Sequence, residues 1–153
     1  MTVYGIDPGQ SGGLAGVRGP GDGWAIKMPA TERDIVAAMR EMGMTDGSFV
    51  LLEKVGAMPG QGVSSTFKFG QNYGLLRGIL IALEVPFNEV SPQVWKRAVG
   101  AIHKKGRRAT PTEKKNLDKQ KAQQIFPKLR ITHATADALL IAHYAHAIYG
   151  HKR

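Results

Sequence analysis

Three segments far apart in the chain each carry an acidic residue where an apolar element meets a loop. Tyr4-Gly5-Ile6-Asp7-Pro8-Gly9 is a strand pattern that stops on a carboxylate and turns away at Pro-Gly. Phe49-Val50-Leu51-Leu52-Glu53 is a continuous apolar run that also ends on a carboxylate. His133-Ala134-Thr135-Ala136-Asp137 opens a helix, and its His and Asp, four apart, share a face. Singly, each has an ordinary explanation: a turn aspartate, a solvated strand end, a surface pair. Together the three acids read as one metal site holding Asp7, Glu53 and Asp137, because clustered carboxylates repel unless a cation holds them. Hard oxygen ligands with a partial water shell suit Mg²⁺. Two such ions could activate water and stabilise the leaving oxygen of a phosphodiester.

The elements that must position these residues follow from periodicity and turn chemistry. Thr2 to Asp7, Gly12 to Val17 and Trp24 to Met28 read as three short strands. The turn formers Arg18-Gly19-Pro20-Gly21-Asp22-Gly23 fold them into an antiparallel meander. Thr31 is a candidate N-cap with Asp34 at the capping-box position, and Ile35, Val36, Met39 and Met42 give a helical stripe that Gly43 ends. Phe49 to Glu53 has the continuous apolar character of a strand buried mid-sheet. Residues 54–66 read as a loop, followed by a helix from about Phe69 to Leu83, a strand Phe87 to Val90, and a helix opened by Ser91-Pro92 that carries Trp95. Lys104 to Pro111 reads as a mobile basic loop, and helices from about Thr112 to Phe126 and Thr132 to Tyr149 complete the chain. That order predicts a single α/β domain over residues 1–153, its sheet antiparallel on one side and parallel on the other.

The 153 residues are enough to bury a core without staples, and the absence of cysteine excludes disulfides and thiolate metal sites. No apolar run is long enough to cross a bilayer, and the chain enters strand-like sequence at once without a signal-type region. A cytoplasmic protein with no membrane partner is the expectation. Charge is uneven. Against 21 Lys plus Arg and 12 Asp plus Glu, a net of +9, residues 96–130 hold 12 of the bases and only Glu113 and Asp118 as acids, so that window is +10 and the remainder −1. Such an asymmetry is the footprint of a polyanion partner. The candidate phosphate contacts are Lys104, Lys105, Arg107 and Arg108 in the loop, with Lys115, Lys119 and Lys121 on the helix after it.

The motifs carry a resemblance. Gly5-Ile6-Asp7-Pro8-Gly9, Leu51-Leu52-Glu53, Gly74-Leu75-Leu76-Arg77-Gly78, Val90-Ser91-Pro92-Gln93-Val94-Trp95-Lys96, Ile125-Phe126-Pro127 and Ala136-Asp137-Ala138-Leu139-Leu140-Ile141-Ala142 together resemble the RuvC family of Holliday junction resolvases, most closely its phage-borne branch. The likeness runs nearly end to end. It implies an RNase H-like fold, with a mixed five-stranded sheet of three antiparallel and two parallel strands flanked by helices. It also implies a homodimer that nicks four-way DNA junctions symmetrically, with Mg²⁺ or Mn²⁺, two per site, and no small-molecule cofactor. Asp7, Glu53 and Asp137 would then be catalytic metal-binding carboxylates, and a phage-encoded protein would work in its host's cytoplasm. Bacterial members place the fourth metal-site residue three positions before the last Asp, which here is Ala134. His133, one residue earlier, resembles the phage spacing and takes the fourth role.

Two further features accompany that reading. Gly70, Gly74 and Gly78 recur every four residues, which gives one helix a face bare of side chains that either packs on the sheet or admits a second subunit. Phe67-Lys68-Phe69 sets two rings and a cation together, suited to stacking on an unpaired base beside a phosphate. Gly-Ile-Asp-x-Gly also opens the sugar-kinase and actin-like ATPases, but the chain is too short for their two lobes and has no second phosphate loop. The remaining alternatives are a nuclease of the same fold acting on other branched DNA or on RNA, and a junction-binding protein without catalysis. Unused clustered carboxylates should destabilise a fold, which argues against the last.

Overall fold

The computed structural model describes residues 1–57, 59–102 and 109–151. Its strands are β1 (Val3–Asp7), β2 (Gly13–Gly19), β3 (Asp22–Lys27), β4 (Phe49–Glu53) and β5 (Phe87–Val90). Its helices are α1 (Glu32–Glu41), α2 (Val63–Ala82), α3 (Pro92–Ala98), α4 (Pro111–Ile125) and α5 (His133–Tyr149). The strands form one sheet in the order β3-β2-β1-β4-β5. β1 pairs antiparallel with β2 and parallel with β4, and β4 pairs parallel with β5, so the expected mixed α/β sheet is observed. Pro20-Gly21, with Gly21 at φ 70°, suffices to turn β2 into β3, and both strands run further than the density of turn formers predicts.

Register decides what the sheet presents at its end. Ile6 lies opposite Leu52, so Asp7 and Glu53 stand side by side where the two central strands finish. β1 is covered on both faces, which is why its residues alternate between two cores. Tyr4 and Ile6 pack with Leu14, Ile35, Met39, Leu76 and Leu80 beneath α1 and α2. Val3 packs on the other side with Ala15, Val17, Trp95, Phe126, Leu139 and Ala142 beneath α5. Each large side chain so buried contributes roughly 1.5–3 kcal/mol relative to exposure. Thr31 caps α1 by accepting the N–H of Asp34 at 3.1 Å, as its sequence predicts. Thr110 and Glu113 form a reciprocal capping box on α4, with Pro111 as its first helical residue.

α2 begins at Val63 rather than near Phe69, so Ser64, Ser65 and Thr66 are helical and not loop. In a first turn the backbone N–H groups have no helical acceptor, and small hydroxyl residues that weaken a helix interior are tolerated there. The glycine face of α2 does not pack on the sheet: a side chain at Gly70, Gly74 or Gly78 would meet nothing within 4 Å. The basic stretch that includes Lys104, Lys105, Arg107 and Arg108 lies outside the described residues. Among the described residues no helix is long and apolar enough to cross a membrane.

The α5–β1 contact is unusually close because it is built from Gly5 against Ala138 and Ala142. A Cβ on Gly5 would collide with the backbone nitrogen of Ala142 and the carbonyl oxygen of Ala138, neither of which can swing aside. Gly5→Ala is therefore expected to cost about 1–3 kcal/mol of stability by overpacking. Urea denaturation measures it, and an unchanged midpoint would mean that α5 has slack.

Candidate functional site

Asp7, at the end of β1, is half-buried, and Pro8-Gly9 carries the chain away from it. The close approach of α5 sets Asp137, one turn into that helix, against the same end of the sheet. His133 is the first helical residue of α5, after the Thr132 cap, whose hydroxyl and Thr135 satisfy the helix start. Asp7, His133 and Asp137 line one cavity of about 220 Å³, together with Pro8, Ser11, Phe69 and Lys115. The spacing of four between His133 and Asp137 thus does what helix geometry predicts. Glu53 is not among the residues that line this cavity; one of its oxygens, Oε2, accepts the indole N–H of Trp95 at 2.7 Å.

A cation stands among the acids. Lys96 Nζ donates to Asp118 Oδ2 at 2.6 Å and lies 4.0 Å from Asp137 Oδ2. Asp118 is almost wholly enclosed, with 3% exposed, so its charge requires this partner. Burial pushes Asp7 well above the usual carboxylate range, and the charges of Glu53 and Asp137 push it further, with Lys96 and Lys115 opposing. Burial likewise raises Asp137, to about 7. Asp118 and Glu53 add to that rise, against the pull of Lys96. Glu53 is raised by burial as well, although the Trp95 N–H and Lys96 both favour its ionised form. For Lys96 burial acts downward, but Asp137, Asp118 and Glu53 outweigh it and hold the ammonium charged. Three carboxylates that repel one another and resist ionisation are a donor set whose charge a divalent cation would neutralise. Among the described residues no group of three His, Cys, Asp or Glu side chains is drawn together tightly enough to enclose one ion by itself. The fit is thus one of donor chemistry.

No family model matches the chain, and no curated protein matches it. Solved structures do. The T. thermophilus RuvC in complex with Holliday junction substrate aligns over 98% of this chain and 95% of that one, with a TM-score of 0.62 and 20% identity. The Thermus thermophilus RuvC structure aligns over the same shares, with a TM-score of 0.56 and 22% identity. The fold is the RNase H-like fold of RuvC.

On that RuvC-like frame the sequence-predicted contact residues separate. Phe67 projects from α2 with 66% exposed, and Lys68 beside it is exposed too. Phe69 instead folds over Gly9, where even a methyl group would meet its ring. Ser11 and Phe69 also border a larger cavity of about 610 Å³, reached by Lys68 and Asn72. Lys115 joins the site cavity. Lys119 faces a separate hollow with Asn116 and Gln123, and Lys121 reaches towards Gly100.

Four residues of the site received no site role from the sequence: Trp95, Lys96, Asp118 and Asn72. Asn72 is buried and its Oδ1 accepts the N–H of Gly9 at 2.7 Å, tying α2 to the loop beside Asp7. Trp95 and Lys96 lie in the Val90–Lys96 motif that carries the resemblance, and for Asp118 and Asn72 the only signal was a polar residue at an otherwise buried position of its helix.

Proposed function

We propose that this chain is a structure-specific endonuclease that resolves Holliday junctions, cutting two DNA strands symmetrically in a reaction that needs Mg²⁺ or Mn²⁺. The observation that carries the reading is the convergence of Asp7, His133 and Asp137 on one cavity, with Glu53 adjacent, at the end of a RuvC-like sheet. Asp7, Glu53, His133 and Asp137 would hold the metal. When bound, it would supply an activated water and charge stabilisation for the leaving oxygen. Asp7 and Asp137 present carboxylates towards the cavity where a phosphodiester enters. Lys115, on its wall, supplies positive charge to that phosphate, and Lys96 offsets the charge of the acids before metal arrives. His133, one turn before Asp137, belongs with the phage-borne branch of the family, where host cytoplasm is the setting.

Symmetric cutting needs two active sites of one polarity, so two copies must face each other about a dyad. The open face of α2 suits that contact. Val63, Phe67 and Ile81 are exposed apolar residues at its ends, and Gly70, Gly74 and Gly78 leave its centre free for a close backbone approach. Gly74→Leu is expected to shift the sedimenting species from dimer to monomer at micromolar concentration. A dimer of undiminished affinity would place the interface elsewhere.

The function itself is tested on a synthetic immobile four-way junction beside a linear duplex of the same sequence, in Mg²⁺. Paired symmetric nicks in the junction alone are expected. Equal cutting of the duplex, of other branches or of an RNA–DNA hybrid would move the substrate class, and junction binding with no cutting in any divalent metal would leave a binding protein.

A further inference from the structure

The geometry points to Trp95 as a positioning residue for the metal centre: its indole N–H holds Glu53 in the orientation from which that carboxylate ligates. This rests on the reading of Glu53 as a metal ligand given above. Trp95 is completely buried on α3, in the core between the sheet and α5. An indole carries one N–H donor and no acceptor. Burying that donor unpaired is costly, and at a purely apolar position a Phe or Leu would fill the space without the penalty. Among the described residues the N–H has a hydrogen bond with Glu53 Oε2 alone, at 2.7 Å, a charge-assisted length.

The two residues lie 42 apart in sequence and on different elements, so the bond is a tertiary choice and not a by-product of local spacing. A single N–H occupies one lone pair of a carboxylate that has about four, which fixes its plane and leaves the remaining sites for a ligand. Glu53 needs this more than Asp7 does, since it has one more rotatable bond. Such outer contacts to metal ligands typically govern about 10–100-fold in metal affinity.

The test is Mn²⁺ binding to the DNA-free protein, followed by electron paramagnetic resonance of the free ion, in four chains. Trp95→Phe keeps an aromatic core residue and removes the N–H, and its Mn²⁺ affinity is expected to fall at least tenfold. Val99→Ala opens a cavity in the same core with the indole untouched, and it is expected to lose stability at wild-type affinity. Glu53→Gln is expected to lose affinity at least as much as Trp95→Phe. Unchanged binding in a folded Trp95→Phe protein, with Glu53→Gln impaired, overturns the role of Trp95 and leaves the metal site standing. Unchanged binding in Glu53→Gln overturns both. An equal loss in Val99→Ala overturns the assignment in favour of core packing.

The wild-type chain offers a check that no folding defect can obscure. Its only two indoles are Trp24 and Trp95, so their N–H resonances are separable by a Trp24→Phe variant. The Trp95 signal is expected far downfield, and it should move on Mg²⁺ titration with the midpoint of metal binding while Trp24 stays fixed. A Trp95 signal that is unmoved at saturating Mg²⁺ overturns the inference.

Discussion

Asp7→Asn is expected to lose junction cutting by roughly a thousandfold or more while binding the junction as well as the unaltered protein. The amide keeps the shape of the side chain and removes the charge. Metal-centred stabilisation is worth several kcal/mol, and each 1.36 kcal/mol is tenfold in rate. The same substitution should make the metal-free protein more stable. Asp7 resists ionisation because it is buried and because Glu53 and Asp137 repel its charge, and a neutral amide escapes both. For a chain of this length each kcal/mol relieved raises the melting temperature by about 2–4 °C. A gel-shift titration, a cleavage time course in Mg²⁺ and a thermal melt without metal read out the three parts. Cleavage at near wild-type rate would end the assignment of Asp7, and a lower melting temperature would contradict the electrostatics.

Withdrawing divalent metal is expected to abolish cutting and to leave a protein whose stability declines as pH rises. The Asp137 carboxyl is pushed up to about 7, by burial first and by Asp118 and Glu53 after it. In an unfolded chain an aspartate titrates near 3.9. Between about pH 4 and 7 the folded state therefore holds a proton that the unfolded state has released. The contribution of this group is fully present below about pH 4 and is lost as pH climbs through about 7. Asp7 acts in the same direction. His143 acts in the opposite one, because burial, then His146 and Lys121, holds it below its ordinary value. The clean comparison is thus wild type against Asp137→Asn, melted without metal at steps from pH 4.5 to 8. Their difference should grow with pH in favour of the amide and shrink when Mg²⁺ is added to the wild type at pH 8. Parallel curves would show that Asp137 titrates as an ordinary surface aspartate.

What the sequence discloses and what it hides divide along physical lines. β1 and β4 are legible because their apolar runs are short, uninterrupted and closed by turn formers, and α1 because Thr31, Ile35 and Met39 set a cap and a stripe. The adjacency of Asp7 and Glu53 depends on strand order, and a parallel pairing across an intervening helix leaves no local mark; only the resemblance supplied it. His133 and Asp137 are legible together because a helix converts a spacing of four into a shared face. Lys96 and Asp118 meet across the two helices α3 and α4, 22 residues apart, so the sequence shows only two more charges in a basic window. The first turn of α2 was hidden by its own composition, since Ser64-Ser65-Thr66 after Gly62 has the look of a loop and lacks the apolar period that marks a helix.

The seam between β1 and α5 has a bearing on how the site tolerates error. Glycine and alanine have no rotamers, so nothing at Gly5, Ala138 or Ala142 can shift to absorb a misfit, and nothing there loses side-chain entropy when the chain folds. The separation of the Asp7 and Asp137 backbones is a main-chain dimension, like the span of a machined gauge, and only the two short acid side chains add torsions of their own. On the proposed reading, a phosphodiester entering the cavity would meet two acids whose backbone spacing was settled during folding. The converse is brittleness. Grafting these acids onto a related sheet whose first strand bears any side chain at the position of Gly5 would reproduce the residues and miss the spacing.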